Sequence, residues 1–501
     1  MSEKPITSAT NSLADLKLGE GGSNVNDMVP EDFSYEPTPS ELNNLLTEDG
    51  KILPQVVDDL KSESLVVRLI ALIKIQRRLQ NSAVNPTAQA IIDSNLVQVI
   101  VDFLAYEDVR FQERAASAAA NITAGTSEQT EVAVAAGALQ KIMNLCPFSS
   151  TGLQRGALYA LGNIAADSSH LRDRVLREKG MEPVMEVLTK LDDNVYEESI
   201  VAPATRALSA YLKRWHPGRF PRSEFIPVQQ IVPILAKLIR SRQSATSGDA
   251  SETLENSVIS LSRICEKGHL AEAFDTGILR ELVALCSSSN PIVQRFSLRS
   301  LGFFAADTEA QTDAVIDAGL LPTLMTCIAS GNKNTRELAC WTTSNVVAGT
   351  AKQTQAAVDI GIIQPAIKLL SDPTEDVLVR KEACWVLTNL VVACIKHPAQ
   401  DWSETLYDEE FVMALCGALD MEDNLVRRNA MSSLHQILDS ARSKLEQGKW
   451  SRVVEVMRDA DGPARLRVVR DTHPSRGTEL GNSARRLLMS YFPDYSRRAR
   501  V

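Results

Sequence analysis

Trp341 precedes Asn345 by four residues, Trp385 precedes Asn389 by four, and the two pairs lie 44 residues apart. In a helix, residues four apart share a face. An indole beside an amide is a recognition surface rather than a reacting one. A Lys or Arg stem laid along the ring gains apolar contact and a cation–π attraction of roughly 0.5–2 kcal/mol. The amide can both donate to and accept from a peptide backbone. Two parallel indole walls in register thus suit an extended basic segment better than they suit a core. Asparagine is unfavourable inside helices, yet Asn121 and Asn163 stand in equivalent apolar contexts. Two readings of these amides stay open: a ladder bonded to a neighbouring backbone, or a row lining a groove.

Signatures of catalysis are missing. The chain holds no G-x-x-x-x-G-K-[ST], no H-E-x-x-H and no G-x-S-x-G. Gly19, Gly21 and Gly22 cluster in an acidic head, not between a strand and a helix. The expectation is a protein that is not an enzyme. The eight cysteines form no C-x-x-C pair and sit mostly in apolar helical contexts, so they read as buried, reduced thiols. The six histidines are scattered, so neither a metal nor a cofactor is expected. Asn121-Ile122-Thr123 matches a glycosylation acceptor, but the first residues lack the basic start and apolar run of a secretory signal. No apolar stretch approaches the roughly 18 residues of a membrane span. These features predict an intracellular protein that neither spans nor coats a membrane.

Charge is unevenly spread along the 501 residues. Positions 1–50 carry ten acids against Lys4 and Lys17, a net of −8. From Arg442 to the end, 14 basic residues face 7 acidic ones, a net of +7, and the middle stands at −9. An acidic body argues against nucleic-acid binding, which needs cations to displace counterions, and favours basic partners.

The helices that must position the Trp and Asn pairs repeat. A polar residue inside an apolar helix is followed by a short Gly/Ala–Asp/Thr turn, a second helix ending near Gly, and a third apolar helix. ASAAANITAGTSEQTEVAVAAGALQKIMNL (116–145) can be laid on ACWTTSNVVAGTAKQTQAAVDIGIIQPAIKLL (339–370). The marker falls at Asn121, Asn163, Ala210, Arg263, Phe303, Asn345 and Asn389, with spacings of 42, 47, 53, 40, 42 and 44 residues. That period belongs to two- or three-helix solenoid repeats, whose units cannot bury their apolar faces alone and so stack. Gly137, Gly180, Gly277, Gly319 and Gly361 each follow a helix, where a left-handed cap suits glycine. The fold expected is all-α. Residues 1–40 read as a disordered acidic head, 41–493 as the repeat domain, with Ser40 as the first N-cap, and 494–501 as a basic tail. Loops are expected near 216–226, 241–252 and 396–406.

On these residues the chain resembles the importin-α (karyopherin-α) family of armadillo-repeat adaptors. GTSEQT (125–130), ALGNIAADS (160–168), ACWTTSN (339–345), KEACWVLTN (381–389) and the closing RRLLMSYF are similar to that family's repeat motifs, in register from about residue 50 to Phe492. The resemblance implies a right-handed superhelical solenoid of about ten three-helix repeats. It implies binding of Lys/Arg-rich nuclear localisation signals of cargo proteins in a concave groove. Further partners would be an importin-β-type carrier and an export receptor, with shuttling between cytoplasm and nucleus. It also implies a minor peptide site at Trp341, Asn345, Trp385, Asn389, Glu382, Arg299 and Thr312. The major site would draw on Ser117, Asn121, Gly125, Thr130, Tyr159, Asn163 and Asp167.

The resemblance breaks in three places. At the major site, Ser117 and Tyr159 stand where the family has Trp, Arg206 and Ala210 replace a whole pair, and Ile259 with Arg263 replaces the next. Phe303 stands in an Asn position. The basic leading segment by which the family recruits importin-β and closes its groove has no counterpart among residues 1–50. Arg476, Arg485, Arg486, Arg497, Arg498 and Arg500 form a basic patch that could substitute for it or be simply solvated. The expected protein is therefore a monomeric adaptor whose minor site is better kept than its major site. The alternative is an armadillo scaffold that binds other extended peptide partners outside nuclear transport.

Overall fold

The computed structural model describes residues 29–80, 86–145, 150–191, 197–213, 221, 223–444, 447–472 and 479–496. Cys146, most of the 216–226 loop, Arg476 and the final arginines Arg497, Arg498 and Arg500 lie outside them. Among the described residues all regular structure is helical, apart from one isolated antiparallel bridge between Leu46 and Ile52.

Ten long helices stack in chain order, each against the next. They are α1 (Leu65–Gln80), α2 (Val109–Thr123), α3 (Thr151–Asp167), α4 (Glu198–Tyr211), α5 (Gly248–Glu266), α6 (Pro291–Phe304), α7 (Lys333–Val347), α8 (Val377–Lys396), α9 (Asn424–Lys444) and α10 (Glu479–Tyr491). Shorter helices pack behind them, such as Ser127–Ala135 and Ala138–Leu145 behind α2. The result is the all-α solenoid that the repeat spacing predicts.

Local chemistry explains each break. Asp108, Ser150, Asn290, Asn332 and Asp376 cap α2, α3, α6, α7 and α8 by accepting first-turn N–H groups. The short second helices open with Thr126/Gln129 and Thr350/Gln353 capping boxes. These two helices close on Gly137 and Gly361 at φ 87° and 77°, and Glu309–Asp317, capped by Thr308, on Gly319 at 99°, a conformation that costs a side chain about 1–2 kcal/mol. Gly277 takes the same place at φ 67°. Gly180 departs from this expectation. Lys179 takes the left-handed position at φ 68°, and Gly180 is right-handed, where a Cβ would lie 2.9 Å from the Val175 carbonyl oxygen.

Small residues let the long helices approach. Ala115, Ala116, Ala118 and Ala119 of α2 are buried, and a Cβ on Gly156 of α3 would meet the Ala116 carbonyl carbon at 3.0 Å. Six of the seven described cysteines are buried. Burial pushes the thiols of Cys265, Cys384 and Cys416 up to about 12, so they pack as apolar groups.

Three local expectations change. The first helix spans Pro39–Asn43 and is capped by Thr38, whose side chain accepts from Glu41 N while Glu41 answers, rather than by Ser40. Residues 241–252 are mostly helical, because α5 begins at Gly248. Within 396–406, Ser403–Leu406 forms a short helix beside buried Trp402.

Candidate peptide-binding groove

The C-terminal half of the stack keeps the paired walls. Trp341 and Trp385 are half-buried on α7 and α8. Trp341 lies against Gly302 of α6, where a Cβ would run into the indole and stand 2.8 Å from Thr342 Oγ1. Phe303, in the position of an expected Asn, meets the same indole edge-on, with ring centroids 5.4 Å apart. The Arg299 guanidinium sits 5.4 Å from the Phe303 ring centre and pairs with Glu266 at 2.9 Å.

The asparagines are tied across repeats. Asn163 Nδ2 donates to Ala120 O at 2.8 Å, Asn345 Nδ2 to Gly302 O at 3.1 Å, and Asn389 Nδ2 to Ser344 O at 2.9 Å. Asn121 instead turns to Ser117 O of its own helix at 2.8 Å. The ladder is therefore real at three rungs, and it uses one of the two N–H groups of each amide. Arg263 supplies a fourth rung without an amide, donating to Ser209 O and, at 3.1 Å, to Ser209 Oγ. Burial and the neighbouring Arg299 charge lower its pKa to about 10.

Two carboxylates flank the tryptophans. Burial, with the charge of Glu337 beside it, raises Glu382 to about 6. Lys381, its chain neighbour, is turned to Asp423 at 2.9 Å. Glu337, one turn before Trp341 on α7, is absent from the residues expected above. The same four-residue spacing that pairs Trp341 with Asn345 would have found it.

The threonines serve their own turns. Thr312 Oγ1 donates to Thr308 O at 3.0 Å or Ala305 O at 3.2 Å, and Thr130 Oγ1 lies 3.2 Å from both Thr126 O and Thr123 O. Thr354 repeats the pattern at 3.0 Å from Thr350 O and Val347 O. All three are buried. Gly125 leaves room for the Gln129 amide of the capping box.

In the N-terminal half, Ser117, Asn121, Tyr159 and Asn163 line one open cavity of about 640 Å³. Gly125, Thr130 and Asp167 do not border it. Where a first Trp is missing, Ser117 Oγ accepts from Gln76 and Gln80 at 3.3 Å each. Tyr159 is bracketed by Arg155 and Arg206, at 5.8 and 5.7 Å from its ring centre. Its hydroxyl donates to Glu252 at 3.2 Å. Lys213 donates to Ala166 O at 2.9 Å. Burial and Arg263 pull its pKa down, and the Asp167 charge offsets part of that. A cation of this chain thus already acts on the acid that the resemblance assigns to a ligand lysine, and the Tyr159 ring is already bracketed.

The armadillo/β-catenin-like repeat family model matches residues 308–348 and 350–392, spanning α7 and most of α8. Importin subunit alpha-1b of Oryza sativa subsp. japonica is 28% identical over 267 residues, 53% of this chain and 47% of that protein. Importin subunit alpha-6 of Arabidopsis thaliana is 31% identical over 45% of this chain and 39% of its own length. Importin subunit alpha-2 of Caenorhabditis elegans is 26% identical over 60% and 53%. The chain spans about half the length of the curated relatives it matches. Among solved structures, an engineered protein superposes with a TM-score of 0.67, 24% identity, and coverage of 87% of this chain and 97% of that one. Repeat architecture and family model agree on an armadillo-repeat solenoid, and the relatives it is similar to are importin alpha subunits.

Proposed function

We propose that the chain is a non-catalytic adaptor that binds Lys/Arg-rich nuclear localisation signals of cargo proteins in the C-terminal half of its groove. The observation that carries this reading is the pairing of half-buried Trp341 and Trp385 with Glu337 and Glu382 on the same two helices. A lysine stem lies between indoles while its ammonium meets a carboxylate. The second N–H and the oxygen of Asn345 and Asn389 hold the peptide backbone. Arg299, Phe303 and the buried Thr312 shape the end of this site, and Asn121, Gly125, Thr130, Tyr159, Asn163 and Asp167 contribute little to basic-peptide affinity. On this reading the protein works as a monomer between cytoplasm and nucleus, with an importin-β-type carrier and an export receptor as further partners, its ordered repeat domain running from 41 to 493. The basic N-terminal half of the groove favours a second reading, a scaffold for extended partners of other charge.

Titrating the full chain with a Lys/Arg-rich localisation peptide, beside its lysine-to-alanine control, tests the adaptor. Saturable, lysine-dependent binding that weakens with salt and is lost in the Trp341→Ala/Trp385→Ala variant is expected. Unchanged binding in that variant, or no binding at low salt, would leave only the scaffold.

A further inference from the structure

We infer that the N-terminal half of the groove, around Arg77, Arg114, Arg155 and Arg206, is a docking site for an acidic, extended segment of a partner protein. This goes beyond the proposed function, because it uses other helices and the opposite charge.

Four guanidiniums line the cavity against two carboxylates, Glu113 and Glu252. Both carboxylates are engaged: Glu113 accepts from Ser150 Oγ at the start of α3, and Glu252 takes Tyr159 OH and Arg206. Arg114 donates to a neutral partner, Gln76 Oε1 at 3.2 Å. Arg155 lies 3.9 Å from Asp249, beyond hydrogen-bond length. A guanidinium offers five N–H donors in a planar fork matched to carboxylate, so both retain unused capacity.

The chain itself shows what this edge accepts. Glu36 sits on Arg77, and Glu41 is 3.1 Å from Lys74 on the same helix. The carbonyls of Pro30 and Val29 receive Arg110 at 2.6 and 2.9 Å, and the charge of Glu31 acts on that arginine. Arg110 and Arg114 are one turn apart on one face of α2. The chain's own acidic residues 31–41 therefore already lie along the basic edge, with Glu36 on the cavity-lining Arg77 and the Pro30 carbonyl on Arg110, one helical turn from Arg114. Inside the cavity, Asn121 and Asn163 place two amides along the wall, each with a free hydrogen for a peptide backbone. Polypeptide fits better than nucleic acid, because the chain as a whole carries −10 and would repel a polyphosphate beyond these four side chains. Residues 1–28 hold Glu3, Asp15, Glu20 and Asp27 against Lys4 and Lys17, a net of only −2, so a more acidic partner segment is the better complement.

The test is fluorescence anisotropy of a labelled Glu-rich dodecapeptide with the full chain. Expected is saturable, salt-sensitive binding, at least tenfold weaker in Arg114→Glu/Arg155→Glu and also weakened in the milder Arg114→Gln/Arg155→Gln, which guards against misfolding. The Trp341→Ala/Trp385→Ala variant should bind this peptide normally, which separates failure here from failure of the basic-peptide site. Absent binding at low salt, equal affinity in the arginine variants, or displacement by a Lys-rich peptide overturns the inference. Binding seen only after Glu3, Asp15, Glu20 and Asp27 are changed to amides in the full chain would give the site to the protein's own head. Arginine-dependent binding of a single-stranded oligonucleotide without peptide binding would replace the partner class altogether.

Discussion

Phe303 stands edge-on to Trp341 at 5.4 Å, with the ring planes 78° apart. Phe303 takes the register position that Asn345 and Asn389 take in the next two repeats, so a ring rather than an amide meets Trp341 there. The arrangement depends on Gly302, which leaves space for the indole. Gly302→Ala should displace Trp341, lower stability by about 1–3 kcal/mol and shift indole emission. An unchanged thermal midpoint and spectrum would show that the ring is not held there.

Glu382 makes the basic-peptide site sensitive to mild acid. Its carboxyl is raised to about 6 by burial and by Glu337, so it becomes neutral as pH falls through that value. If the peptide binds only the ionised form, affinity should drop about tenfold between pH 7 and pH 5. Glu382→Gln should bind weakly and flatten the profile. Stability runs the other way. The folded carboxyl titrates above the unfolded value of 4.5, so its burial opposes folding above pH 6, and that opposition fades as pH falls from about 6 towards 4.5. Denaturant midpoints at the two pH values, compared between wild type and Glu382→Gln, read this sign.

Arg263 spans two repeats by donating to Ser209 O and Oγ. Arg263→Ala leaves that carbonyl without its partner and should destabilise by about 1–3 kcal/mol. Hydrogen exchange should quicken at the α4–α5 junction and stay unchanged in α7 and α8. Faster exchange throughout would mean that the rung does not act locally.

Thr130, Thr312 and Thr354 hold equivalent turns with buried hydroxyls. Each Thr→Val should cost about 1–2 kcal/mol of stability, with similar values at all three sites and little change in basic-peptide affinity. A large affinity loss in Thr312→Val at unchanged stability would give that hydroxyl a direct part in binding.

What the sequence determined by itself is what arises within one repeat. Helical period and the left-handed glycines Gly137, Gly277, Gly319 and Gly361 are local physics, legible along the chain, although at Gly180 the left-handed turn fell to Lys179 and the first cap to Thr38 rather than Ser40. The Trp341–Asn345 and Trp385–Asn389 pairs belong to the same class, because four-residue spacing puts them on one face before any packing is known. Tertiary structure decided what residues 40 to 55 apart do to one another. Stacking brings Lys213 towards Asp167, Arg206 onto Tyr159 and Arg263 to Ser209, and it sets Glu337 beside Glu382. Each pair joins adjacent repeats, and it depends on the offset and rotation between them. Those follow from how closely alanine and glycine faces such as Ala116 against Gly156 can approach. The resemblance could mark Ser117, Tyr159 and Arg206 as departures at positions where the family has Trp. Only the stacked helices show that Arg155 and Arg206 bracket the Tyr159 ring and that Arg114 meets only a neutral partner, Gln76.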